Sequence, residues 1–357
     1  MKRERWVYLV MLTFLASLML WGATEAGAAP PTKPLVLRIA ETHPPTGTRA
    51  DFLKKACNEV ETLTEGRIKM EVYWSESLVK TKEMLRALQR GVCDLSWVAN
   101  LYYPAELPLW THYTVILYHP KGDDASYLTK KAWELFDNSQ ILRAELEKYG
   151  QTAWFACPYD SYCLYSKKMV NTLEDLKGMR IRVPGEGASK MVSAIGVHPT
   201  SVPAADVYSV LERGTVDGTV AGWDWGKSYR LFEVVPYITD TNIIIHYLFN
   251  NVSFAALNKM PEKDRKTFME VGRRVSLEYG EALKKEREVA KAFMKEKGVK
   301  ILPFPAEERE KWAALPAVKG LLKNWIDEQN KAGRPGTEVM RTFMKTFEIP
   351  EWMPPGY

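Results

Sequence analysis

Apolar positions along this chain switch between two periods. Leu35 to Ala40 is a short β-rich run, and Thr42-His43-Pro44-Pro45-Thr46-Gly47-Thr48 breaks it into a loop. From Arg49 to Glu65, the residues Phe52, Leu53, Ala56, Val60 and Leu63 recur at helical spacing, and the pattern stops at Gly66. Ile68 to Trp74 reads as the next strand. Lys80 to Arg90 places Met84, Leu85 and Leu88 on one helical face and ends at Gly91, just ahead of a short strand from Leu95 to Ala99. This strand-helix rhythm predicts an α/β protein with parallel strands whose C-terminal ends face ligands. Farther along, Ile243 to Leu257 is rich in β-branched and aromatic residues and predicts one long strand. Glu262 to Lys297 has few breakers and predicts one or two long helices, while the Pro-rich end Ile349 to Tyr357 predicts irregular chain.

The N-terminus changes the picture of where the protein works. Lys2, Arg3 and Arg5 precede an uncharged apolar run from Val7 to Leu20, followed by small residues ending in Ala26-Gly27-Ala28. That is the layout of a secretory signal, with cleavage expected after Ala28, and the run is shorter than the ~20 residues of a spanning helix. About 330 residues remain, enough for two domains at the usual ~100 to 200 residues each. Loss of three basic and two acidic residues takes the net charge from +5 to +4, too mild for a nucleic-acid surface. In an oxidising compartment the four cysteines Cys57, Cys93, Cys157 and Cys163 are candidates for pairing. Cys157 and Cys163 flank a turn-like insert, which favours bridges 157–163 and 57–93, set against the alternative that these are buried small apolar residues.

A family resemblance rests on specific segments. Arg38-Ile-Ala-Glu-Thr-His-Pro, Thr64-Glu-Gly-Arg-Ile-Lys-Met-Glu-Val-Tyr and Ala87-Leu-Gln-Arg-Gly-Val-Cys-Asp-Leu precede Leu173-Glu-Asp-Leu-Lys-Gly-Met-Arg-Ile-Arg-Val-Pro and Leu211-Glu-Arg-Gly-Thr-Val-Asp-Gly, followed by Ala256-Leu-Asn-Lys-Met-Pro. In this order they resemble the DctP-type solute-binding subunit of TRAP transporters, the tripartite ATP-independent periplasmic systems, up to about residue 325. The resemblance implies a two-lobed periplasmic-binding-protein fold of type II-like character. Its parts are two mixed sheets flanked by helices, hinge strands crossing twice and a long lobe-spanning helix. Lobe one would be 34–156 plus 248–285, lobe two 157–247 plus 286–340, the signal peptide 1–28 and the irregular tail 341–357.

By the same resemblance Arg182, the second arginine of the Arg180-Ile181-Arg182 segment, faces the cleft and pairs with a substrate carboxylate. A guanidinium suits that task because it is permanently charged and offers a planar fork of donors. Strand alternation alone puts Arg180 on the same face and does not separate the two. Where sialic-acid-binding members have a second arginine, twenty residues earlier, this chain has Tyr162, so one cation and a monocarboxylate are expected. Tyr162 and Trp223 occupy family cleft positions; Trp74 and Trp97 add aromatic surface, and His43 and Asn100 are hydrogen-bonding candidates at strand ends. Trp225 reads equally as a buried anchor. The acid-plus-Trp metal element of 2-oxoacid-binding members is out of register around Trp223-Asp224, so no metal and no cofactor is expected. The expected partners are a small organic acid and integral-membrane TRAP permease subunits, with no nucleic acid, and the chain is expected to be a monomer. An enzyme is disfavoured because no Gly-x-Ser-x-Gly, His-Glu-x-x-His or supported Cys-His pair occurs. A sensory role, presenting the loaded form to a membrane receptor, shares the same binding chemistry and stays open.

Overall fold

A computed structural model describes residues 33–117, 119–244 and 246–357. The expected signal peptide, 1–28, lies outside them. Two mixed sheets organise a two-lobed α/β molecule. The first contains β1 (Leu35–Ala40), β2 (Ile68–Tyr73), β3 (Leu95–Val98), β4 (Gln151–Ala156) and β10 (Phe249–Ser253), in the order β2-β1-β3-β10-β4. β1 is parallel to β2 and β3, while β10 runs antiparallel to β3 and β4. The second contains β5 (Tyr162–Ser166), β6 (Arg180–Arg182), β7 (His198–Thr200), β8 (Gly218–Ala221), β9 (Tyr237–Ile243) and β11 (Lys300–Pro303), ordered β11-β9-β5-β8-β6-β7.

The chain passes between sheets at 157–161 and returns at 244–248. The two passages run antiparallel: Cys157 N–H donates to the Leu248 carbonyl at 2.7 Å, and Tyr159 bridges His246. The single long strand expected over 243–257 is therefore three pieces, a passage, β10 and the helix Phe254–Leu257. The expected 157–163 disulfide is corrected for the same reason. Six extended residues span roughly 20 Å, about three times the reach of a disulfide. All four cysteines are free and buried, so the 57–93 bridge is absent too. Cys157 Sγ faces the Leu248 carbonyl and Cys163 Sγ faces Asp240, each inside its own sheet.

One helix, Glu262–Glu296, covers the expected helical region and spans about 50 Å at 1.5 Å per residue. Phe268, Val271, Val275 and Tyr279 bury one stripe against β4 and the helices Thr48–Leu63 and Ala125–Asn138; Arg287 and Ala290 carry the stripe on toward Trp223–Ser228 and β11. The Trp154 indole N–H donates to the Phe268 carbonyl at 2.9 Å and Trp133 to Ser276 Oγ at 2.8 Å, so the first lobe grips this helix by its buried tryptophans. The C-terminal end departs from expectation. The helix Pro316–Lys331 packs on both lobes, and Gly336–Thr346 packs on Ala125–Asn138 of the first. The stretch read as an irregular tail thus begins inside an amphipathic helix that buries Val339, Met340, Phe343 and Met344.

Candidate functional site

β6 is only three residues long, and its central Ile181 is buried in the second lobe's core. The flanking arginines then have different fates. Arg180 is exposed and closes a two-pronged ion pair with Asp217, Nη2 to Oδ1 at 2.7 Å and Nε to Oδ2 at 3.2 Å. Arg182 is 2% exposed. Its Nε and Nη2 donate to the Val202 carbonyl at 2.9 and 2.8 Å, and Nη2 also donates to Tyr102 Oη at 3.0 Å. Its guanidinium lies 5.7 Å from the Trp225 ring centre. No carboxylate pairs with Arg182 among the described residues.

Tyr102 belongs to a 3-10 turn of the first lobe, Asn100–Tyr102, so the Arg182–Tyr102 bond joins the lobes. Around it lies a cavity of about 20 Å³, walled by Arg182, Tyr102, Trp97, Tyr159, Tyr162 and Trp225. That is room for little more than one water molecule. Leu101, Pro184, Ala204 and Leu248 complete the wall. A lone guanidinium in a chamber walled largely by aromatic rings is equipped to hold an anion attached to a flat body.

The wall on the first-lobe side is braced by a buried charge network. Glu41 is fully buried; its Oε1 accepts from His43 Nδ1 at 2.6 Å, and its Oε2 accepts from Arg49 at 2.9 Å and from Asn250 at 3.2 Å. Burial alone would raise the Glu41 carboxyl, but Arg49 and then His43 overcome it and hold it well below the usual carboxylate range. Burial, aided by Arg49, pushes His43 down to about 4, so the imidazole is neutral. His43 Nε2 meets Tyr159 Oη, and the His43 ring stands edge-on to Trp97 at 4.8 Å. His43 therefore fixes two walls from behind.

Of the other predicted residues, Trp97 and Tyr162 line the cavity. Trp223 does not. It starts the helix Trp223–Ser228 fully buried, against Tyr165 and beneath Arg287 and Lys291, while Trp225 takes the cavity-facing place. Trp74 follows β2, an edge strand, and lies under Lys54 away from the cavity. Asn100 is buried at the start of the turn that presents Leu101 and Tyr102, and is not in the wall. Tyr159, which walls the chamber, and Arg49 and Glu41, which brace it, left no local sequence signal.

Asp224 is engaged elsewhere. Its Oδ1 accepts from Thr48 N–H at 3.2 Å and Thr48 Oγ1 at 3.0 Å, so a second-lobe carboxylate caps the first-lobe helix Thr48–Leu63. Asp160, in the outgoing passage, accepts from Trp223 N–H at 3.3 Å, an approach that only Gly222 permits, since a Cβ there would sit 2.4 Å from Asp160 Oδ1. Burial, tempered by Arg287, raises the Asp160 carboxyl to about 7. Among the described residues no three His, Cys, Asp or Glu side chains converge as metal ligands, and no helix is long and apolar enough to cross a membrane.

Comparison with known proteins agrees with this architecture. The family described as bacterial extracellular solute-binding protein, family 7, matches residues 39–327. A solute-binding protein of Albidiferax ferrireducens is 25% identical over 305 residues, covering 80% of this chain and 88% of that one. A TRAP solute-binding protein of Rhodoferax ferrireducens, solved with copurified benzoate, superposes with a TM-score of 0.79 at 18% identity over 89% of this chain and 98% of that one. A Bordetella pertussis extracytoplasmic solute receptor binding pyroglutamic acid superposes with a TM-score of 0.76 at 21% identity, over 86% and 99%. A two-lobed fold, a matching family over most of the chain and a chamber between the lobes lead to one conclusion: the chain belongs to the family 7 extracellular solute-binding proteins, the DctP-type receptors of TRAP transporters.

Proposed function

We propose that this receptor captures a small monocarboxylate with an aromatic or apolar body, closing two hinged lobes around it, with Arg182 as the carboxylate's partner. The observation that carries this reading is a buried guanidinium with no anion of its own. A buried charge is costly unless paired, and breaking such a pair costs about 3–5 kcal/mol. Aromatic walls from Trp97, Tyr159, Tyr162 and Trp225 suit a flat body. Benzoate and pyroglutamate, the ligands of the two structural relatives, are both monocarboxylates. The small closed cavity supports opening about 157–161 and 244–248, with 34–156 plus 248–285 and 157–247 moving as lobes and the C-terminal helices bridging them. The exported, monomeric form, cleaved after Ala28, would act in the periplasm and hand its ligand to membrane permease subunits.

A thermal-shift screen of residues 29–357 against carboxylates tests the reading. A ligand at a hundred times its Kd adds ~2.7 kcal/mol, or roughly 4 °C for a chain of this length. Arg182→Ala should remain folded and lose roughly a hundredfold to several thousandfold in affinity. Unchanged affinity in a folded variant, or shifts only with sugars or cations, would refute it.

A further inference from the structure

Behind Tyr162 lies a second set of polar groups that the fold leaves without partners. His246, in the returning passage, is 1% exposed, and neither its Nδ1 nor its Nε2 makes a hydrogen bond among the described residues. Tyr113 is fully buried and its hydroxyl is equally unpartnered. The two rings stand edge to face at 5.6 Å. Buried polar groups are normally satisfied, so three unpaired atoms in one place are a cost that the fold carries for a reason. This region is not otherwise indifferent to hydrogen bonding: on the far side of Tyr113, Tyr247 Oη meets His112 Nε2, and His112 Nδ1 engages the Leu109 carbonyl at 2.8 Å.

Only one ring separates this set from the Arg182 chamber. Tyr162 lines the chamber with its ring, and His246 stacks flat against that ring at 4.7 Å and 22°. No hydrogen bond of the Tyr162 hydroxyl is present among the described residues; core packing and ring contacts with Tyr159 and His246 hold the side chain. A cavity of about 20 Å³ cannot admit a ring-sized body unless a wall moves, and Tyr162, like Trp97, is a wall with no hydrogen-bond tether among the described residues. The outer walls are better fixed, Tyr159 by His43 and Tyr102 by Arg182.

We infer that His246 and Tyr113 form the distal half of the ligand site, reading a neutral hydroxyl or ring amide on the side of the ligand away from the carboxylate. This rests on the carboxylate reading for Arg182. A neutral imidazole offers one donor and one acceptor, and a tyrosine hydroxyl can serve as either, so the pair matches a group that both gives and takes a hydrogen bond. Burial, with Arg182 nearby, holds His246 down to about 3, which keeps the ring uncharged and argues against a second carboxylate as its target. The ligand class narrows to monocarboxylates bearing one neutral polar group.

The test uses two ligand pairs that share a body and differ in that group, benzoate against 3-hydroxybenzoate and cyclopentanecarboxylate against pyroglutamate. Binding is measured by calorimetry on the mature wild type, His246→Phe and Tyr113→Phe. Wild type should prefer the polar member of at least one pair by about tenfold or more, because a site built to hydrogen-bond penalises the analogue that leaves it unpaired. Each variant should reduce that preference to about threefold or less while the apolar member binds as before. His246→Phe should also keep or raise the unliganded melting temperature, since two unpaired polar atoms leave the core. Preference absent from wild type, or surviving in both variants, overturns the inference and leaves the carboxylate reading standing. Wild type that binds neither member of either pair overturns both.

Discussion

A tight approach between the lobes offers a sharp test of closure. Gly47 precedes the helix Thr48–Leu63 with φ of 91°, and a Cβ built on it would lie 2.0 Å from Ser228 Oγ and 3.2 Å from Ser228 Cβ in the other lobe. Gly47→Ala therefore carries two separable penalties. The backbone conformation is one that side chains rarely adopt, which costs about 1–3 kcal/mol whether the cleft is open or shut. The clash exists only in the closed form. Rotating the Ser228 hydroxyl away would sacrifice its 2.8 Å bond to the Asp224 carbonyl and still leave the 3.2 Å contact. Overpacking of this kind costs about 1–3 kcal/mol, equivalent to a loss of roughly 5- to 150-fold in ligand affinity. Calorimetric titration with a ligand from the thermal-shift screen reads the second term, and the unliganded melting temperature reads the first. Adding Ser228→Gly should restore most of the affinity while the melting temperature stays depressed. A folded Gly47→Ala protein that binds as tightly as wild type would refute the idea that the loaded form is this closed one.

Removing the Glu41 charge with Glu41→Gln strands Arg49 as a buried cation, so equilibrium denaturation should show a loss of about 3–5 kcal/mol, and a loss below 1 would mean the network is slack. Burial raises the Glu145 carboxyl to about 7 even though Leu109 and Trp110 N–H donate to it. A raised folded pKa means the native state holds a proton the unfolded chain releases, so wild type should lose about 3 kcal/mol relative to Glu145→Gln as pH rises from 5 to 8, and a pH-independent difference would contradict this. Burial pushes the Cys57 and Cys93 thiols up to about 12. A thiol reagent should find almost none of the four cysteines in the native protein and all four after unreduced denaturation, whereas two bridges would leave none.

What the sequence disclosed followed from local rules. The strands from Leu35, Ile68 and Leu95 and the helix after Thr48 were legible because their apolar periods are set by neighbours in the chain. Arg180 and Arg182 were inseparable because alternation treats them alike; only Asp217, brought beside β6 by the turn before β8, claims the first and leaves the second. Trp223 was expected in the cleft from the family position alone, which does not say how its segment, here a helix, turns its side chains. Once helical, residues two apart point about 200° apart, and Trp225 inherits the cavity. Trp74 failed because strand order is a tertiary fact, and β2 turned out to be an edge. The Glu41–Arg49–Asn250 network joins residues up to 209 positions apart and leaves no periodic trace.

Two buried arginines show how the fold divides structure from function. Arg49 is 4% exposed and carries its own anion, with Glu41 at 2.9 Å and the side-chain Oδ1 of Asn250 at 2.7 Å, so its charge is neutralised by the fold itself. Arg182 is as deeply buried but, among the described residues, has only a backbone carbonyl, a phenol and the Trp225 ring beside it, dipoles and a quadrupole that ease a charge without cancelling it. Replacing each by methionine, which keeps most of the volume, should then act in opposite directions. Arg49→Met leaves Glu41 a buried carboxylate held only by the neutral His43 and by Asn250, and should lower the unliganded melting temperature by roughly 4–7 °C for a loss of about 3–5 kcal/mol. Arg182→Met removes a charge that no carboxylate among the described residues neutralises and should leave that temperature unchanged or raise it, while abolishing the shift produced by carboxylates. If both variants melt equally early, Arg182 belongs to the scaffold and the anion site must be sought elsewhere in the cleft.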